Sequence, residues 1–247
     1  HGDILGTFSN GAKKTFWMFF TDGDLNWRHN ASGYSMLNPF VSPFFALGFI
    51  YSAGIVLLHF IKGNFFKKEE LKNYFKYLFL IIWFLAMLAP ELLSNESIPH
   101  GLRSIGVMPT VFIFAALGIL FLFGKIKSFF PQSKRLPVLL NLLLFFFLIG
   151  SLVYDYGLYF GVSANSPEFY YAYRSDLSVA SDYLNQRNIK ERTYLVLDPY
   201  SVQTPEFLTA DYRQPYVLVD PAASYKTILK PGDQIVFTQS TIFDAKK

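Results

Sequence analysis

Four apolar runs, Phe40–Phe60, Tyr77–Leu93, Ile105–Phe123 and Leu136–Tyr154, set the terms on which this chain can fold. Each approaches the roughly 20 residues that an α-helix needs to cross the hydrocarbon layer of a bilayer. A helix is also a form that satisfies its own backbone donors and acceptors where water is absent. At 247 residues, 52% hydrophobic and 19% aromatic, the chain carries more apolar surface than one soluble core of this size uses. The sequence therefore predicts an α-helical integral membrane protein with four transmembrane helices, at about residues 40–60, 77–93, 105–123 and 136–154.

The loops between the runs differ in basic content. Lys62, Lys67, Lys68, Lys72 and Lys76 lie between the first and second runs, and Lys125, Lys127, Lys134 and Arg135 between the third and fourth. The loop between the second and third holds only Arg103. Short basic loops stay on the cytoplasmic side, so both ends of this chain are expected outside. The long segment after Tyr154 also holds Arg and Lys, but long translocated domains are largely exempt from that rule. The net charge of +4 and the isoelectric point near 9.0 follow from the basic loops and attraction to anionic lipid, with no nucleic-acid footprint. With no cysteine, the chain has neither disulfides nor a thiolate metal site, which fits a disulfide-poor bacterial envelope. It starts at His1, with no cleavable leader ahead of the first run, and an outside start without a signal implies earlier helices. The expectation is the C-terminal part of a larger polytopic protein in a bacterial inner membrane.

Three regions follow. Residues 1–39 read as an outer-face loop in which Phe16, Trp17, Met18, Phe19 and Phe20 form an interfacial aromatic segment. Residues 40–160 form the four-helix transmembrane region, with Gly48 and Gly54 of the first span suited to close helix approach. Residues 161–247 have the composition of a small extracytoplasmic α/β domain. There Leu177, Ala180, Ser181 and Leu184 recur at helical spacing, with Ser175 or Asp176 as the cap. Thr193–Leu197, Tyr216–Val219 and Gln234–Thr238 read as three strands, accompanied by one or two helices.

Chemistry is expected at the loop between the second and third spans, where Glu91, Asn95, Glu96, His100 and Arg103 crowd at the bilayer surface. Arg103 precedes a helix start, so it suits a lipid phosphate through bidentate donation, or it pairs with Glu91 or Glu96 and anchors the helix end. His100, between Pro99 and Gly101, is a turn residue or an acid–base group. Asp22 and Asp24 flank a glycine in a turn, or bind a sugar or metal. Arg28 and His29 meet lipid headgroups or an anionic substrate, and Asp155 reads as an interfacial cap. The sequence has no Gly-rich phosphate loop with a following lysine, no histidine pair at helical spacing and no Gly-x-Ser-x-Gly elbow. Its four histidines, His1, His29, His59 and His100, are scattered, so no metal ligand is assigned and a histidine metal cluster is not expected. No cofactor is identified; use of a divalent cation stays open.

Gly23–Asn30 (Gly-Asp-Leu-Asn-Trp-Arg-His-Asn) and Pro99–Pro109 (Pro-His-Gly-Leu-Arg-Ser-Ile-Gly-Val-Met-Pro) together resemble segments in the C-terminal half of bacterial polytopic glycosyltransferases of the GT-C type. The relatives in question are the protein O-mannosyltransferases and aminoarabinose transferases, family 39-like. The tail, with its Lys230–Thr238 segment, is similar to the outer domain that closes many such chains. The resemblance implies inverting transfer of a sugar from a polyprenyl-phosphate donor to an acceptor on the outer face. It also implies that the catalytic acid lies upstream of this chain, so no catalytic residue is assigned here and the fragment alone is expected to be inactive. Substrate or lipid-phosphate binding falls to Arg103, His100, Asp24 and Arg28, and the partners are membrane lipids, the donor and the missing N-terminal half. Two other functions fit the same sequence: a transporter component, or a non-enzymatic envelope protein with an outer binding domain.

Overall fold

The computed structural model describes residues 3–62, 68–94, 96–186, 192–209, 216–226 and 229–239. The chain divides into two compact units, residues 1–163 and 164–247.

The first unit is helical. Helix α1 spans Ile4–Trp17, α2 Ser42–Lys62, α3 Lys68–Leu92, α4 Met108–Phe129 and α5 Leu136–Tyr156, with a single 3-10 turn at Ile105–Val107 leading into α4. Four helical stretches are long and apolar enough to cross a membrane: Ser42–Lys62, Leu71–Leu92, Ile105–Phe129 and Leu136–Ser163. They coincide with the four apolar runs, but helix continues past three of them. Lys125 and Lys127 lie within α4, Lys72 and Lys76 within α3, and α5 continues through wide π-helical turns at Gly157–Ser163. Lysine is a good helix former whose long stem follows apolar surface while its ammonium stays in water, so hydropathy falls before the helix ends.

Helix α1 departs from the expected loop. Asp3 caps it by accepting from the Gly6 amide at 2.9 Å. Gly6, Asn10 and Gly11 dilute the helical pattern in the sequence. Its aromatic end is also divided: Phe16 and Trp17 are exposed, whereas Met18 and Phe19 are buried in the helical core. That core centres on Phe45, Phe84 and Phe114, whose ring centroids lie 5.8–6.2 Å apart at tilted and edge-on angles favourable for aromatic pairs. Helices α2 and α4 touch along backbone. A Cβ on Gly48 would stand 1.7 Å from the Phe114 carbonyl oxygen, and one on Gly118 2.2 Å from that of Phe44. Gly54, by contrast, has nothing within 4 Å of its Cβ position. Only the first of the two glycines singled out in α2 therefore serves close approach.

The second unit is an α/β fold. Its parallel sheet has the order β2-β1-β3, with β1 Thr193–Val196, β2 Tyr216–Val219 and β3 Gln234–Phe237. Central β1 is buried along its whole length, as the unbroken apolar run Tyr-Leu-Val requires of a parallel strand covered on both faces. Helix α7, Ser175–Gln186, lays Leu177, Ala180 and Leu184 against Leu195 and Leu197. The unit also contains α6, Pro167–Ala172, α8, Gln203–Thr209, and a 3-10 segment, Pro221–Lys226, more helix than the one or two elements expected. Ser175 and Asp176, the two residues offered as the cap of α7, both lie in its first turn. The Asp176 carboxylate accepts from the Arg174 guanidinium and from the Gln239 amide at 2.8 Å.

Candidate functional site

Two polar loops of the helical unit meet. The first, residues 18–41, joins α1 to α2 and is closed by Met36 N–H donating to the Met18 carbonyl at 2.7 Å. Asn30 Nδ2 donates to the Tyr34 carbonyl at 2.7 Å, and Gly23 is pressed so closely beneath that a Cβ there would come within 2.2 Å of the same oxygen. Asn38 fastens the loop's end to α5 through Ser151 at 2.7 Å and Asp155 at 2.8 Å. Asp155 is thus an anchor for this loop. The second loop, residues 93–104, joins α3 to the 3-10 turn and contains the cis Ile98–Pro99 peptide.

Asp24 is where they join, and its residue is 4% exposed. Its Oδ1 accepts from the Asn26 amide at 2.8 Å. Its Oδ2 lies 2.7 Å from His29 Nδ1 and accepts from the Gly101 amide, 77 residues along the chain, at 2.7 Å. A buried carboxylate is tolerated only when so many donors replace water. The His29 and His100 rings then face one another at 4.6 Å between centroids. One ligand atom from each of Asp24, His29 and His100 lies within 4.8 Å of the other two.

Below this cluster stands Glu91, in the last turn of α3 and fully buried. Its Oε1 accepts from the His100 amide at 2.9 Å, while Oε2 has no hydrogen-bond partner among the described residues. His100 Nδ1 is likewise buried and unpartnered. Burying such an atom without a partner costs free energy. The charges that act on Glu91 are those of Arg103 and Asp24.

The residues picked from sequence separate accordingly. Asp24 and His100 come together. Arg103 is half-buried and donates through Nη1 to the Glu96 carbonyl, making no ion pair with Glu91 or Glu96. Arg28 is exposed, and the side-chain partners of Asp24 are the Asn26 and Gly101 amides and His29. Asp22 is exposed and bonded to Thr21, and Asn95 lies outside the described residues. His29 and Glu91, considered in sequence but not chosen as binding residues, are integral to the cluster. An acid one residue after a proline at the end of an apolar run was the signal for Glu91. No local signal linked His29 to His100.

Beside α1, α2 and α3 lies an apolar cleft of about 340 Å³, lined by side chains that include Phe16, Phe20, Phe49, Ile50, Leu85 and Leu88. Compared with family models, curated proteins and solved structures, the chain matches none. The site must therefore be judged on its own geometry.

Proposed function

We propose that this chain is the C-terminal portion of a bacterial inner-membrane glycosyltransferase, with both of its ends outside the cytoplasm. It transfers a sugar from a polyprenyl-phosphate donor to an acceptor on the outer face. The observation that carries this reading is the contact between the two segments that resemble GT-C enzymes: Asp24 of the first accepts from the Gly101 amide of the second. Neither segment has a packing reason to hold a buried carboxylate for the other, and a shared polar centre beside helices of spanning length suits a headgroup substrate. Arg103 supplies a cation in the same loop for a donor phosphate, and the apolar cleft along α1–α3 suits part of a prenyl chain. In the reaction the acceptor oxygen attacks the anomeric carbon as the bond from that carbon to the phosphate oxygen breaks. The phosphate leaves with the electron pair, and a carboxylate base upstream of this chain takes the acceptor proton. A transporter reading has less support, because acidic and basic residues of the four spanning helices sit near their ends.

The test uses membranes containing the protein with its N-terminal half and labelled polyprenyl-phosphate sugars. Transfer to an endogenous or added acceptor is expected, with a loss of donor use in Arg103→Ala. Absence of transfer from every such donor overturns the proposal. Because the chain has no cysteine, Ser97→Cys is a clean topological probe. Labelling only from the cytoplasmic side would refute the orientation.

A further inference from the structure

We propose that Asp24, His29 and His100 form a binding site for one divalent transition-metal ion of the zinc class. Two independent features lead there. The first is the donor set. Two imidazoles and one carboxylate, with a position left for water or substrate, is a ligand set that catalytic zinc ions take. Four-coordinate zinc with bonds near 2.0–2.1 Å places its ligand atoms roughly 3.4 Å apart. The observed ligand atoms all lie within 4.8 Å of one another, with His29 Nδ1 and Asp24 Oδ2 at 2.7 Å. Small side-chain rotations therefore suffice to open the closest pair and draw in the third member.

The second feature is an unpartnered buried nitrogen: among the described residues, His100 Nδ1 is buried and has no hydrogen-bond partner. The His29 and Asp24 side chains are only 7% and 6% exposed. A bare polar atom of this kind is costly to bury, and a cation held by His100 removes the cost.

Asp24 keeps the site shaped before metal arrives. The Asn26 and Gly101 amides hold its two oxygens, so the carboxylate stays oriented while the proton between it and His29 is exchanged for the ion. The nitrogen ligands also predict selectivity: magnesium and calcium, which prefer all-oxygen coordination, should not compete. Metal binding does not depend on the transferase proposal, and its test reads no activity.

The full chain is purified in detergent, stripped with chelator and titrated with zinc chloride, then with cobalt chloride and magnesium chloride. One zinc ion per chain is expected after gel filtration, with a rise in thermal stability that magnesium does not reproduce. Cobalt should give the visible absorption of a four- or five-coordinate ion with nitrogen ligands. His29→Gln and His100→Gln should each weaken binding by roughly 100-fold. The wild-type stability shift and cobalt spectrum need no variant, so misfolding of a mutant does not obscure the result. Sub-stoichiometric zinc with no cobalt spectrum, equal stabilisation by magnesium, or full binding by the folded His29→Gln and His100→Gln proteins would each overturn the assignment.

Discussion

Among the described residues, each unit of this protein holds a polar cluster, and the two are finished differently. In the α/β unit, Arg174 adopts a left-handed backbone conformation with φ of 55° and donates to Asp176, Asp198 and Ser201 at 2.8–3.4 Å. The Tyr200 and Gln239 amides complete the two carboxylates. Burial works against the Arg174 charge, but hydrogen bonds and charge from Asp176 and Asp198 outweigh it and hold the guanidinium protonated above its ordinary range. In the helical unit, Asp24 is equally well supplied with donors, yet His100 Nδ1 and Glu91 Oε2 beside it are left without partners. The chemistry of the groups is alike. A closed network ties loops together; an open one leaves buried polar atoms without partners.

The contrast breaks first at Asp24. Asp24→Ala leaves the Asn26 and Gly101 amides and His29 without their acceptor, and should destabilise the helical unit by about 4 kcal/mol, read as chemical unfolding in detergent. A loss below ~1 kcal/mol would mean that the loops are held together by other contacts. The scaffold can be separated from the site through α2. Gly48→Val drives a side chain into the Phe114 carbonyl and should cost about 3 kcal/mol, whereas Gly54→Ala should be neutral or gain a few tenths. Equal effects at the two glycines would refute the backbone contact between α2 and α4.

Arg174→Ala should cost about 2 kcal/mol, confined to the α/β unit and visible as earlier proteolysis of residues beyond 164. Lysine should rescue it only partly, since one ammonium cannot reproduce the guanidinium fork. The smallest change is expected at Glu91. Glu91→Gln retains an oxygen for the His100 amide and leaves no carboxyl to bury, so stability should stay within about 1 kcal/mol of wild type or rise. A large loss there would show that the second carboxyl oxygen already has a partner, and the two clusters would then be alike.

Much of the scaffold was legible beforehand because its signals are local. Helices of spanning length were written in runs of apolar residues, and strands in Thr193–Leu197, Tyr216–Val219 and Gln234–Thr238, each a short β-branched and aromatic run between turn formers. Helix α1 was not, because two glycines and an asparagine blur its periodicity while its capping and the burial of Met18 and Phe19 stabilise it. At the site, Asp24 and His100 were named as separate candidates. Nothing along the chain said that one loop's carboxylate would accept from the other loop's backbone amide, since an amide has no residue-specific signature.

The sequence alone determined which segments are apolar enough to span a membrane, where basic residues gather between them and where the chain turns to α/β composition. Those properties depend on neighbours within a helical turn or a strand. Only the tertiary structure decided that Gly48 and not Gly54 meets another helix, that Asp155 holds Asn38, and that Asp24, His29 and His100 converge while Arg28 stays apart. Such contacts join residues far apart in the chain, and they form when apolar burial brings helices together and leaves the intervening polar groups to find partners among themselves.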